Sequence, residues 1–282
     1  ALERAQAVDL MGQLLDGQLN ELEIGAFCVA MRIEGETVEE MCGFLDAGQA
    51  RSQLLPATTR PVIVLPSYNG ARKLPVLTPL LALLLAREGF AVLLHGMRTE
   101  AQRVLASEVL QRLEVPVWER MQPLAAGQVA HVATEVLHPG LARLLAVRQV
   151  LGLRTPGHSL VKLLAPCAGP AVLVGSYTHP EYSGLMRDVL IARQMTGLLS
   201  RGLEGEVVCD PRRQPRYDAV WQGQAYCVAE QQAGTLAAVP GLPQAIDAQT
   251  TADYTRAVLA GQLPVPQAVA AQVAHITALA QR

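Results

Sequence analysis

Val62-Ile63-Val64-Leu65-Pro66-Ser67-Tyr68-Asn69-Gly70-Ala71-Arg72-Lys73 is the run that decides the fold. Its opening residues are continuously apolar and rich in β-branched side chains, which predicts a buried strand. Pro66 ends the strand, a short polar loop follows, and Val76 to Leu85 is apolar enough for a buried helix. Strand, loop and helix in this order are how an α/β protein presents a ligand site at the carboxyl end of a strand. The chemistry of residues 66–73 therefore bears on function as well as on fold.

On the N-terminal side, residues 1–50 read as helices. Leu10, Leu14 and Leu15 recur at helical spacing, Asn20 is placed to cap a helix over Glu21 to Arg32, and Thr37 with Glu40 forms a capping box for the next. Residues 51–60 read as a linker. On the C-terminal side, strands are expected at 90–94, 115–117 and 171–176 and a short one within 129–136, with helices at 100–113, 138–151 and from Pro180 to about Leu199. A Pro-, Gly- and Arg-rich region over 201–217 leads into irregular strands that end near Val239. A helical tail opens at Thr250, and Pro264 to Ala280 is its last helix. The expected organisation is a small all-α domain over 1–55, open to completion by later helices, and a larger α/β domain over 61–282.

Composition narrows the function classes. A chain that is 50% hydrophobic and 17% charged is neither disordered nor fibrous. Val76 to Leu85 is too short to span a membrane, so no membrane association is expected. Five scattered cysteines without a close pair suit reduced thiols, hence a cytoplasmic protein with neither a disulfide frame nor a zinc site. The net charge of −2 hides an asymmetry. Residues 1–55 hold three arginines against ten acids, whereas the remainder holds twenty Lys or Arg against fifteen. The body is thus mildly basic, which permits a cationic face without requiring one. No Ser/His/Asp or Cys/His constellation stands out, and no catalytic residue is assigned.

The succession of motifs resembles the anthranilate phosphoribosyltransferase superfamily, glycosyltransferase family 3. Leu19 to Thr37 is similar to that family's second and third helices, and His138-Pro139 to its His-Pro-Ala-Met segment. Val147-Arg148 through Leu151-Gly152-Leu153-Arg154-Thr155 is similar to its Val-Arg-x-x-Leu-Gly-Ile-Arg-Thr signature. The resemblance implies an α/β fold with a small N-terminal all-α domain and a larger domain on a central, mostly parallel sheet, like class II nucleoside phosphorylases.

The substrate motifs depart from the family pattern. The family's Gly-Thr-Gly-Gly-Asp loop, whose amides approach a pyrophosphate, matches Pro66, Ser67, Tyr68, Asn69 and Gly70. Pro66 has no N–H to donate, and Tyr68 carries a ring where the family has glycine. Asn-x-Ser-Thr matches Val76 to Pro79. Lys-His-Gly-Asn-Arg survives as Leu94-His95-Gly96-Met97-Arg98, the Asp-Glu magnesium pair matches at best Glu204-Gly205-Glu206, and the aromatic-substrate Asn matches Lys162. Arg148, matching an arginine that meets the anthranilate carboxylate, is intact. Pro-Ser-Tyr-Asn-Gly-Ala-Arg-Lys, His158-Ser159-Leu160-Val161-Lys162 and Arg201-Gly202-Leu203-Glu204-Gly205-Glu206 are similar to the YbiB-type branch. That branch implies a homodimer with non-specific DNA or RNA binding and without the parent activity.

Two sets of candidate residues follow. Arg201, Arg212, Arg213 and Arg216, with Arg72 and Lys73, are candidates for phosphate contacts; the alternative is a solvated loop. Ser67, Tyr68, Asn69, Gly70, His95, Gly96, Arg98, Arg148, His158 and Lys162 form the degenerate substrate site; His95 and Arg98 follow a strand end that faces its crevice, and the favoured alternative for His95-Gly96 is a turn that the fold needs. No metal site and no cofactor are expected, and magnesium enters only under the alternative reading, a working phosphoribosyl- or glycosyltransferase with altered substrates.

Overall fold

The computed structural model describes residues Ala1–Arg282. Three helices open the chain: α1 (Arg4–Leu15), α2 (Glu21–Glu34) and α3 (Val38–Arg51). Both expected caps are present. Asn20 accepts from the Leu22 and Glu23 amides, and Thr37 Oγ1 accepts from Glu40 N while the Glu40 carboxylate accepts from Thr37 N. The α/β part follows as β1 (Val62–Pro66), α4 (Thr78–Arg87), β2 (Val92–Gly96), α5 (Ala106–Arg112), β3 (Val117–Trp118), β4 (Val129–Ala133), α6 (Thr134–Leu137), α7 (Pro139–Leu151) and α8 (Pro156–Leu163). It continues with β5 (Ala171–Tyr177), α9 (Glu181–Ala192), β6 (Thr196–Arg201), β7 (Tyr217–Trp221), β8 (Gln224–Ala229), α10 (Ala248–Leu259) and α11 (Gln267–Ala280).

The eight strands form one sheet in the order β3-β4-β2-β1-β5-β6-β7-β8, parallel through β6 and antiparallel at β7 and β8. Helices cover both faces, which is why β1 reads as an unbroken apolar run. Its side chains alternate between two cores: Val62 and Val64 join the core shared with α1, α3, α7 and α8, while Ile63 and Leu65 join the core under α4, α10 and α11. α7 packs on α1, and α8 packs on α2 and α3, so later helices complete the N-terminal bundle. From β1 the chain moves to β2 on one side and later to β5 on the other. The carboxyl ends of β1 and β5 therefore flank a topological switch point, where open α/β sheets hold ligands.

One expected element is wrong. The helix from Pro180 ends at Ala192 rather than near Leu199, and Thr196–Arg201 is a strand. Gln194 turns the chain between them at φ +53°, and the apolar Leu198-Leu199 pair that suits a helix serves the sheet equally well. The expected helix at 100–113 is confined to Ala106–Arg112. No helix is long and apolar enough to cross a membrane.

Candidate functional site

The loop after β1 has its donors already bonded within the chain. A short 3₁₀ turn, Leu203–Gly205, follows β6 and lays two carboxylates along the loop. Glu206, only 1% exposed, accepts from Asn69 N at 2.8 Å, Gly70 N at 2.7 Å, Ser67 Oγ at 2.5 Å and Thr78 Oγ1 at 2.9 Å. Glu204 accepts from Arg72 N at 2.6 Å and Lys73 N at 2.9 Å. The turn is itself held down: Asn69 Nδ2 donates to the Glu204 carbonyl, and Ser176 Oγ and Lys162 Nζ donate to the Gly205 carbonyl. Gly205, at φ +90°, lies so close to Asn69 that a Cβ would collide with its Nδ2. The amides that resemble a pyrophosphate cradle thus already hold an anion, supplied by the chain.

Tyr68 and His95 are also internal. The Tyr68 ring turns under the loop, 2% exposed, and donates to His95 Nδ1 at 2.8 Å while accepting from Thr134 Oγ1 at 3.1 Å. His95 Nε2 lies 3.1 Å from the Leu164 carbonyl, which can only accept, so the proton sits on Nε2 and the ring is neutral. Burial pushes the His95 pKa down to about 3. His95 does not face the crevice: it is fully buried, a core polar link between β2, the loop and the end of α8. Gly96 is needed for close contact, since a Cβ there would collide with the Ser67 carbonyl.

The other retained family positions are similarly engaged. Arg98 pairs with Glu108 at 2.8 Å and donates to the Arg103 carbonyl, and Arg148 pairs with Glu100. The Arg98 guanidinium is committed to these partners, whereas Arg148 keeps one buried nitrogen, Nη1, without a partner. The dense arginine cluster needs the same correction. Arg212 and Arg213 both pair with Asp210, and Arg216 is held bidentately by Asp218 and by Glu230. Each of these acids lies within two to fourteen residues of its arginine, and a count of the arginines alone ignores them. Arg201, exposed at the end of β6, stands outside these pairs.

Beside the sealed loop lies a cavity of about 590 Å³ between α2, α8, α9, the end of β5, the turn after β6 and residues 72–73. Arg32, Arg72, Lys73, Arg103, Arg154 and Lys162 line it, against three acids, Glu34, Glu36 and Glu204. The acids are weaker opponents than the count suggests. Glu204 is spent on loop amides and on Arg103 at 3.8 Å, and burial raises the Glu36 pKa. Arg72, Lys73 and Arg154 are exposed. Burial, followed by Arg154 and Arg148, brings His158 down to about 4, so it is neutral at pH 7; burial, followed by Arg154, brings Lys162 down to about 8. His158 and Lys162 do share one face of α8 and both reach the cavity, as their spacing implies. Tyr177 and Tyr182 add two rings to the wall. Arg32, Arg103 and Tyr182 carry no local sequence signal, because the fold brings them together from α2, the 97–105 loop and α9.

The donor set does not fit magnesium. Both Glu206 oxygens accept from loop donors, Glu204 faces two amides, and no group of three metal-ligating side chains converges. Glu204 and Glu206, candidates from sequence for a remnant metal pair or a solvated turn, are neither.

Comparison with known proteins places this architecture. Residues 1–52 match the glycosyl transferase family, helical bundle domain. Escherichia coli K12 protein YbiB is 36% identical over 280 residues, covering 97% of this chain and 87% of that protein. The anthranilate phosphoribosyltransferase of Leifsonia xyli is 29% identical over 272 residues, covering 93% and 76%. Among solved structures, the anthranilate phosphoribosyltransferase of Thermus thermophilus superposes with a TM-score of 0.74 at 23% identity, covering 99% of this chain and 85% of that one. The Saccharomyces cerevisiae enzyme in complex with PRPP and Mg gives 0.72 at 13% identity, covering 100% and 85%. Fold, motifs and whole-length similarity agree: the chain belongs to the anthranilate phosphoribosyltransferase superfamily, glycosyltransferase family 3, and within it to the YbiB-like branch.

Proposed function

We propose that this protein binds nucleic-acid backbones through the cationic cleft and no longer carries out phosphoribosyl transfer. The observation that carries the reading is the pairing of a sealed pyrophosphate loop with an unneutralised cleft beside it. Glu206 holds the Asn69 and Gly70 amides of the matched pyrophosphate loop and Glu204 holds the Arg72 and Lys73 amides beside it, while Arg72, Lys73 and Arg154 keep exposed charges at the cavity mouth. Guanidinium and ammonium groups on a cleft wall bind phosphates by charge and read no bases, so affinity is sequence-independent and falls with salt. The paired arginines at 212, 213 and 216 contribute little, and Arg201 extends the cationic edge from the end of β6. A homodimer belongs to the same reading. Leu22 and Val29, exposed at 85% and 40% on α2, give the helical domain an apolar face for a second copy. The test is titration of a labelled oligonucleotide across a salt series: binding that weakens steeply with salt is expected, and absent or salt-insensitive binding removes the proposal.

The cavity itself favours one competing reading, a transferase with altered substrates, because it lies at the switch point and is large enough for a small ligand. Calorimetry with phosphoribosyl pyrophosphate and magnesium separates the two. Micromolar binding would revive transfer chemistry.

A further inference from the structure

The two carboxylates that seal the loop differ in one respect that bears on how the cleft meets a phosphate. Glu206 is fixed: it is buried and accepts four hydrogen bonds. Glu204 is at the cavity wall, 14% of its side chain exposed, and accepts from only two amides, Arg72 N and Lys73 N. Its backbone is left-handed, φ +53° and ψ 20°, a region a glutamate occupies at a cost of about 1 kcal/mol or more. Arg103 lies 3.8 Å from its carboxylate, and the Arg72 and Lys73 side chains are free to turn toward the same point. Two successive amides and the Arg103 guanidinium therefore converge on a position filled by a carboxylate of the chain itself, with the exposed Arg72 and Lys73 side chains on the same cavity wall. Such a set of donors would take a phosphate oxygen equally well.

We infer that Glu204 is an internal mimic of phosphate, a displaceable carboxylate that guards a second phosphate site built from the Arg72 and Lys73 amides and Arg103. A phosphate entering the cleft displaces the Glu204 side chain and takes over its two amide hydrogen bonds, while the turn's backbone stays held by Asn69, Ser176 and Lys162. Glu206 stays in place, so the sealed loop remains closed. No bond is made or broken beyond these hydrogen bonds. The site deepens the cleft reading above, and it sets a threshold: a ligand must outcompete a tethered carboxylate.

The experiment uses inorganic phosphate as probe, read by calorimetry and by amide shifts of Arg72 and Lys73, on wild type, Glu204→Ala, Glu204→Gln and Glu34→Ala. The last variant removes one negative charge from the same cavity without touching the amides. Glu204→Ala is expected to bind phosphate about tenfold or more tightly than wild type, with shifts at residues 72 and 73, whereas Glu34→Ala gives a smaller gain without those shifts. Glu204→Gln, which keeps an acceptor but loses the charge, falls between and serves if the alanine variant folds poorly. Equal gains from Glu34→Ala and Glu204→Ala, or no gain from either Glu204 variant, would overturn the inference. Repeating the measurement with an oligonucleotide assigns the source. A parallel gain places a strand phosphate at the site, and a gain confined to inorganic phosphate places a small phosphoester there. Because the probe is inorganic phosphate, failure of wild-type oligonucleotide binding would refute the cleft proposal and leave this result standing.

Discussion

Replacing Glu206 by alanine removes the acceptor for four buried donors at once. Ser67 and Thr78 can rotate their hydroxyls toward other acceptors, but the Asn69 and Gly70 amides are fixed by the loop and point at the lost carboxylate. A buried donor left without a partner costs roughly 1–3 kcal/mol. Two such amides, less partial relaxation, put the destabilisation of Glu206→Ala at about 2–5 kcal/mol. Glu206→Gln is the informative control. Its carbonyl still accepts from both amides and its NH₂ can donate to the two hydroxyl oxygens, so its cost should be about 1 kcal/mol. Urea unfolding of the three proteins, compared at unchanged m-value, measures the differences. If Glu206→Ala unfolds within about 0.5 kcal/mol of wild type, or if glutamine costs as much as alanine, Glu206 does not hold the loop and the sealed cradle is misread.

Three further outcomes are expected. His95 and His131 are buried, and burial pushes their pKa values down to about 3 and about 4. Both stay neutral in the folded protein while the unfolded chain takes up protons below about pH 6.5. Their contribution is therefore complete above about pH 6.5 and lost as pH falls toward 3–4, about 2 kcal/mol each by pH 5 in urea or thermal unfolding. Lys162, near 8, is charged below that pH and loses its charge above it, so phosphate or oligonucleotide binding should weaken between about pH 7 and 9. Lys162→Arg should flatten that dependence, and a pH profile that is unchanged in this variant assigns the titration elsewhere.

Much of the fold is legible in the sequence because local signals agree. The β1 run, the Asn20 and Thr37 caps and the strand-helix alternation each report on residues near in sequence. β6 escapes such a reading because Leu198-Leu199 carries no periodicity over so short a span, and the left-handed Gln194 between α9 and β6 has no strong sequence mark. The loss of the pyrophosphate cradle is visible in Pro66 and Tyr68. What fills it is not, since Glu204 and Glu206 lie more than 125 residues from the groups they bind. The arginine cluster misleads for a related reason: counting Arg212, Arg213 and Arg216 ignores Asp210, Asp218 and Glu230, which neutralise them in space. The cleft cations come from separate segments and acquire meaning only when assembled.

The most direct measurement is the salt slope of oligonucleotide binding for wild type, for Arg72→Ala/Lys73→Ala/Arg154→Ala and for Arg212→Ala/Arg213→Ala/Arg216→Ala. Each phosphate contact contributes about 0.7–0.9 to the slope of log K against log salt. The cleft variant should lose about 2–3 from that slope, and the 212–216 variant less than about 1. The reverse ordering, or a wild-type slope near zero, would contradict a cationic cleft that binds nucleic-acid phosphates.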